Sequence, residues 1–384
     1  MSIRARPAPA VYEFFAGGGL AGLGLHGFRT LFANDMDRAK AASWRANHAG
    51  DIHVGDVWTL DAGDLPGRAD LAWASSPCQD VSLAGARGGL DARRSGAFWG
   101  FWRLIEALET EGRAPPVIVI ENVAGLLTSG QGQDFGTICD VLAGAGYRVG
   151  ALEMDAAHWL PQSRPRLFIV AMRGLSGPVA SGPVGPFHSA RVVAARTRLS
   201  QRAQAAWVWW SLPAPPRRNL DLAALLEPDT AVDWFTPAQT GALMALTAPL
   251  HRDRLEAARA SGERRVAAGF RRVRVERGQK VQRLELRFDG LAGCLRTPSG
   301  GSSRQYLIVC QAGVVRARRL TGREAARLMG LPDSYVLPKG ETAALKLMGD
   351  AVAVPVVRAL SDGLLRPALE GRAVSPASAF PGPT

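Results

Sequence analysis

In the stretch DLAWASSPCQDVSLAG, from Asp70 to Gly85, Cys78 follows a proline at the point where a short apolar run gives way to polar residues. A free thiol with a pKa of about 8.5 is only a few per cent ionised near pH 7, and each unit of lowering multiplies the thiolate about tenfold. A nucleophilic Cys78 therefore needs a cationic or hydrogen-bonding neighbour. Two further stretches supply suitable side chains. ENV (Glu121 to Val123) ends the apolar run PVIVI with an acid, and PQSRPR (Pro161 to Arg166) places Arg164 and Arg166 two residues apart. In extended chain, that spacing points both arginines to one side. Taken singly these are a buried thiol, a helix-capping acid and two surface charges. Together, a thiol, a carboxyl and a guanidinium are what addition to a pyrimidine ring requires. Attack on carbon 6 of cytosine makes carbon 5 nucleophilic, and a carboxyl at ring nitrogen 3 stabilises the adduct.

These residues need elements that bring them to one place. VYEFF, TLFAND, DLAWAS, PVIVIEN and RLFIVAM, all within the first 172 residues, are short apolar runs, and helical stretches fit between them at Gly96 to Thr110 and Asp134 to Ala145. This alternation predicts an α/β fold with a mostly parallel sheet covered on both faces, binding its ligands at the carboxyl ends of the strands. FFAGGGLAGLG follows the first strand. Gly17, Gly19 and Gly22 have the GxGxxG spacing, and Asp35 and Asp37 close the second strand, where an acid accepts bonds from ribose hydroxyls. The turn serves a nicotinamide dinucleotide or the nucleoside of S-adenosylmethionine and does not choose between them. Gly55, Asp56 and Val57 mark a third strand end, where Asp56 is placed to accept from an adenine amino group.

Composition narrows the partners. The 384 residues are 47% hydrophobic with a net charge of +12, no apolar run approaches a membrane span of about 20 residues, and the N-terminus lacks the apolar core of a secretion signal. Four cysteines without a CxxC pair predict reduced thiols and no zinc site, and the expected location is the cytoplasm. The charge is concentrated. Phe187 to Arg318 holds 22 basic against 10 acidic residues, while the rest of the chain has 24 of each. Such a region favours a polyanion, with nucleic acid the obvious one. FRRVRVERGQKVQRLELR (Phe270 to Arg287) nearly alternates basic and apolar residues, as suits a strand meeting a phosphate backbone, and LRTPSGGSSRQYL (Leu295 to Leu307) reads as a Gly/Ser loop approaching DNA. The clustered Trp207, Trp209 and Trp210 read as core.

In order along the chain, FAGGGL, Asp35, GDV, SSPCQ, ENV, GYRV with PQSRPR, RRLTGREAARLMGLP and GDAVAVP resemble the cytosine carbon-5 DNA methyltransferases. The resemblance covers most of the chain. It implies a Rossmann-like S-adenosylmethionine-binding domain over residues 1–172, a basic target recognition domain over 173–314, a return to the catalytic domain over 315–365 and a flexible tail over 366–384. It implies a methyl transfer from S-adenosylmethionine to cytosine in double-stranded DNA, with the base flipped out of the duplex. Cys78 is then the nucleophile, Glu121 the residue at ring nitrogen 3, and Arg164 or Arg166 the contact to the base carbonyl. Phe15, Gly17, Gly19, Leu20, Asp35, Met36, Asp56, Val57 and Pro77 would line the cofactor pocket, joined by Asp350, Ala351 and Val352 as the carboxy-terminal segment packs against the glycine turn. Arg271, Arg272, Arg274, Lys280, Ser302, Ser303 and Arg304 would meet DNA. A monomer associated with the nucleoid, serving a restriction-modification system with a cognate endonuclease or an epigenetic one, completes the expectation. The sequence departs from the family at Asp80 and Val81 after PCQ and at Asp350, where an asparagine is common. Two other readings remain: a transfer RNA cytosine-5 methyltransferase, and a catalytically silent nucleic-acid-binding relative.

Overall fold

The computed structural model describes residues 7–76, 96–297 and 304–371. They form two compact units, one built from residues up to Asp155, Pro165–Pro215 and from Val356 onward, the other from Ala156–Arg164 and Pro216–Pro355.

The first unit is organised by a seven-stranded sheet in the order β3-β2-β1-β4-β5-β7-β6. Its strands are β1 (Ala10–Phe14), β2 (Arg29–Asp35), β3 (His53–Val54), β4 (Leu71–Ser75), β5 (Val117–Val123), β6 (Arg148–Asp155) and β7 (Pro165–Met172). The first five strands are mutually parallel, and β7 runs antiparallel to both β5 and β6. Strands such as AVYEF and VIVIEN are buried along almost their whole length, as expected of a sheet covered on both faces. Phe14 packs edge-on against Phe101 of the helix Ala97–Thr110, within a core that also takes in Ile118, Ile120, Phe135 and Ile138. The helices at Ala97–Thr110 and Gln133–Gly144 lie within one residue of the expected spans.

The strand β6 is an element that the apolar runs did not reveal. RVGALEMD carries Gly150 and Glu153 inside it, and only pairing with β7 makes it a strand. The unit boundaries also differ from the expected 172/173 and 314/315. Residues 173–215 belong to the first unit because the Trp210 indole donates to the Val170 carbonyl at 2.9 Å and β9 (Trp209–Trp210) pairs with β8 (Val179–Ala180). Trp207 and Trp210 are buried there, as core. Arg366–Glu370 is helical with Pro367 and Ala368 buried, so the predicted tail starts too early.

The second unit holds an antiparallel sheet in the order β11-β10-β12-β13, from β10 (Arg265–Glu276), β11 (Gln279–Arg287), β12 (Tyr306–Gln311) and β13 (Val314–Arg319). A boundary at 314/315 would cut β13, whose full length pairs with β12. Leu243 and Leu255 of two helices pack with Ala267, Leu284, Leu286 and Ile308 of the sheet. The helix Gly322–Leu328 opens on a capping box between Thr321 and Glu324, and Arg318 donates to both oxygens of the Glu324 carboxylate, with both side chains 1% exposed. Among the described residues no helix is long and apolar enough to cross a membrane.

Candidate active site

The carboxyl edge of the first unit's sheet holds those expected residues of that unit that are described. Because β1, β2, β3, β4 and β5 are parallel, their ends at Phe14, Asp35, Val54, Ser75 and Val123 share one side. β7 runs the other way, so its beginning reaches the same edge, with Arg166 opposite Val123.

At the β1 end the backbone turns through Phe15, Gly17 and Gly19, all with positive φ (56°, 56° and 79°). For a bulky residue such as Phe15 this left-handed conformation is strained, a device that recurs at binding sites. Gly19 is also required by proximity, since a Cβ there would fall 2.0 Å from His48 Nε2. Gly17 is the opposite case: a Cβ would meet nothing within 4 Å, so the turn presents an open cradle. Asp35, buried at the β2 end, fixes this cradle by accepting from the Gly17 and Asp37 N–H groups, each at 2.8 Å. Met36 beside it is 72% exposed. Asp56 is exposed and caps the following turn through the Trp58 N–H, while Leu20 and Val57 are buried.

One group at this edge was missed by sequence reasoning. Glu13, next to last in β1, is fully buried and accepts from the Gly22 N–H at 3.1 Å. Burial pushes its carboxyl up to about 7, against the Gly22 N–H that favours the charged form. Below the turn His48 stacks on Trp44 at 4.8 Å, and burial lowers its basicity. An acid interrupting the apolar run VYEFF was the available signal.

At the other half of the edge, Glu121 pairs in register with Ser75, and its Oε1 lies 3.2 Å from the Arg166 Nε. Both side chains are largely buried. Asn122 donates to the Ser76 carbonyl and hydroxyl at 3.2 and 3.3 Å, tying β5 to the residue two positions before Cys78. Pro77 and Cys78 themselves lie outside the described residues.

Arg164 and Arg166 have different partners, despite their spacing. Arg166 is in β7 and meets Glu121, whereas Arg164, 1% exposed, belongs to the second unit. Its guanidinium donates to the Leu295 and Gly349 carbonyls at 2.9 and 2.8 Å and to the Ala351 carbonyl. This is the geometry of a main-chain clamp. Gln162, fully buried, works alongside it, donating to the Leu328 carbonyl at 2.6 Å and accepting from the Leu295 N–H. Gly349 must lack a side chain, since a Cβ would approach the Thr297 nitrogen to 2.5 Å. Asp350 accepts from the Thr297 hydroxyl, and Ala351 and Val352 follow the helix Glu341–Asp350.

The expected DNA-contacting strand is a hairpin, β10 and β11 turning at Arg277 and Gly278, both with positive φ. Arg272 and Arg274 both pair with Glu285, and Arg283 pairs with Glu276. Arg271 lies over the Tyr306 ring at 5.4 Å. Lys280 is exposed, and Arg304 sits 3.9 Å from Glu341. Ser302 and Ser303 lie outside the described residues.

Comparison with known proteins gives a single answer. A family model described as C-5 cytosine-specific DNA methylase matches residues 10–200 and 263–366. The Type II methyltransferase M1.ScrFI of Lactococcus lactis subsp. cremoris is 24% identical over 360 residues, 92% of this chain and 77% of that protein. M.HpaII of Haemophilus parainfluenzae is 26% identical, over 88% of this chain and 84% of its own length. Among solved structures, the Dnmt2 methyltransferase of S. pombe aligns over 92% of this chain and 97% of its own with a TM-score of 0.55 at 18% identity. An E. coli prophage-encoded putative DNA modification methyltransferase aligns over 94% and 99% with a TM-score of 0.56, also at 18% identity.

Proposed function

The chain belongs to the C-5 cytosine-specific DNA methylase family, and from that membership we propose that it methylates cytosine within a specific duplex sequence through a covalent Cys78 adduct on a flipped base, as the methyltransferase of a restriction-modification system. It is a DNA (cytosine-5)-methyltransferase that uses S-adenosylmethionine. The open cradle at Gly17 fits the nucleoside of that cofactor, with Asp35 retaining acceptor directions for ribose hydroxyls and Phe15 and Met36 offering apolar surface. When bound, it supplies an electrophilic methyl group on a positively charged sulfur.

The observation that carries this reading is the buried Glu121–Arg166 pair at the carboxyl edge, in register with Ser75 three residues before Cys78. A stacked cytosine hides carbons 5 and 6, so the base must leave the duplex before the thiolate reaches it. The Cys78 sulfur bonds to carbon 6, and the ring electrons move toward carbon 5. The Glu121 carboxyl hydrogen-bonds ring nitrogen 3 and stabilises the resulting charge, while Arg166 holds Glu121 in place and offers the base carbonyl its remaining N–H groups. Once carbon 5 carries the methyl group, water removes its proton and the carbon–sulfur bond breaks, returning the thiolate. Arg164 acts at a distance, as the clamp on the Gly349 and Ala351 carbonyls.

Fluorine at carbon 5 cannot leave as a proton, so duplex DNA bearing 5-fluorocytosine should trap the wild-type protein covalently in the presence of S-adenosylmethionine. Cys78→Ser should leave no adduct; an adduct that persists in that variant sinks the assignment. Parallel assays on duplex DNA and transfer RNA decide the polymer.

A further inference from the structure

The β10–β11 hairpin has two faces of different chemistry. β12 pairs with β10 through Arg265–Gly269, so among the described residues the remainder extends past the sheet as a two-stranded ribbon. It is seven residues on the β10 side, or roughly 23 Å long at strand spacing. Register divides its side chains. One face carries Phe270 opposite Glu285, Arg272 opposite Arg283 and Arg274 opposite Val281. There the arginines are tied to carboxylates: Arg272 and Arg274 to Glu285, and Arg283 to Glu276.

The other face begins in the core, where Leu284 and Leu286 are buried, and then opens. Toward the tip it presents Val273 opposite Gln282 and Val275 opposite Lys280. The valines are 59% and 69% exposed, and Gln282 and Lys280 are exposed beside them. Val273 and Val275 stand side by side on one face, an apolar strip on a cationic ribbon, whereas Val314 elsewhere on the sheet is exposed singly. A partner that contacts a narrow ribbon covers such a strip.

Charge identifies that partner. Phe270 to Glu285 contains six basic residues and two acidic ones, so the ribbon is strongly cationic although one face is internally paired. The major groove of duplex DNA, about 12 Å wide, admits a two-stranded ribbon and presents there the adenine N6/N7 edge and the thymine methyl. Glutamine bonds the first through both ends of its amide, and small apolar side chains pack on the second.

On the reading of the protein as a duplex DNA methyltransferase, we infer that the Val273–Val275–Gln282 face of the ribbon reads base edges in the major groove, and that its target sequence includes an A·T pair. The arginines of the opposite face stiffen the ribbon through their glutamate partners. This departs from the expectation from sequence at Arg272 and Arg274 and keeps it at Arg271 and Lys280, which lie on the reading face.

The test is methylation of a pool of duplexes with randomised sequence around a cytosine, read by bisulfite sequencing for wild type, Gln282→Ala, Val273→Ser/Val275→Ser and, as a matched control, Val314→Ser on the same sheet. Val314 is 59% exposed. Wild type should prefer an A·T pair at one position, and each ribbon variant should weaken that preference about tenfold, the size of one good base contact. The control should keep it, and thermal melts should show all variants folded. Unchanged preference in both ribbon variants, or a wild-type site of G·C pairs alone, overturns the inference while leaving the enzyme's activity standing. A wild type that methylates no duplex cytosine overturns the functional reading and the inference with it.

Discussion

Arg166 meets Glu121 at 3.2 Å with the two side chains 13% and 8% exposed, whereas Arg272 meets Glu285 at 3.0 Å with exposures of 45% and 22%. The separations are nearly equal. Their surroundings differ, and the Coulomb energy of a close pair rises several-fold as the effective dielectric falls from that of water toward that of a protein interior. The carboxyl edge thus concentrates a few charges where each is strongly felt, while the ribbon spreads many where each is weak. Counting charges along the chain sees only the second.

The largest way to break that contrast is at the buried pair. Glu121→Gln should lower kcat by a factor of about 100 to 10,000, the usual contribution of a positioned acid, with little change in KM for DNA. Steady-state kinetics within tenfold of wild type would remove Glu121 from the chemistry. Arg164→Met comes next. It leaves the Leu295, Gly349 and Ala351 carbonyls without their charged donor, and it should cost about 3 kcal/mol or more in urea denaturation.

Glu13 sharpens the comparison because the partner it has, the Gly22 N–H, carries no charge. Its carboxyl is raised from 4.5 to about 7 by burial, so the folded state binds more protons than the unfolded state between those values. Stability should therefore fall as pH rises from about 4.5 to 7 and then level off. Glu13→Gln keeps an acceptor for the Gly22 N–H and removes the titration. Relative to wild type it should gain about 2 to 3 kcal/mol between pH 5 and pH 8, and a constant difference in melting across that range would exclude the effect. The smallest change belongs to the ribbon. Arg272→Gln should alter stability by less than about 1 kcal/mol, and less still in high salt.

The parts legible in the sequence were those encoded by local pattern. Apolar runs ending in Gly, Asp, Ser or Glu located four strand ends and the Gly55–Asp56 turn a fifth, and parallel packing turns a list of strand ends into one edge. What escaped depends on contacts distant in sequence. The direction of β7, the existence of β6 and the split between Arg164 and Arg166 are set by pairing partners and not by periodicity. The same holds for Arg272 and Arg274, whose alternation marked a strand but whose shared carboxylate, Glu285, lies across a turn.

The chain passes between the two units four times, and one excursion is only Ala156–Arg164. Its last residue grips main-chain carbonyls at Leu295, Gly349 and Ala351, groups that every amino acid possesses. Apart from Gly349, which must stay without a side chain, the residues bearing these carbonyls can change identity without asking anything new of Arg164. A grafting experiment that trades specificities between relatives should cut at 215/216 and 355/356 and keep 156–164 with its host, because what Arg164 recognises is backbone.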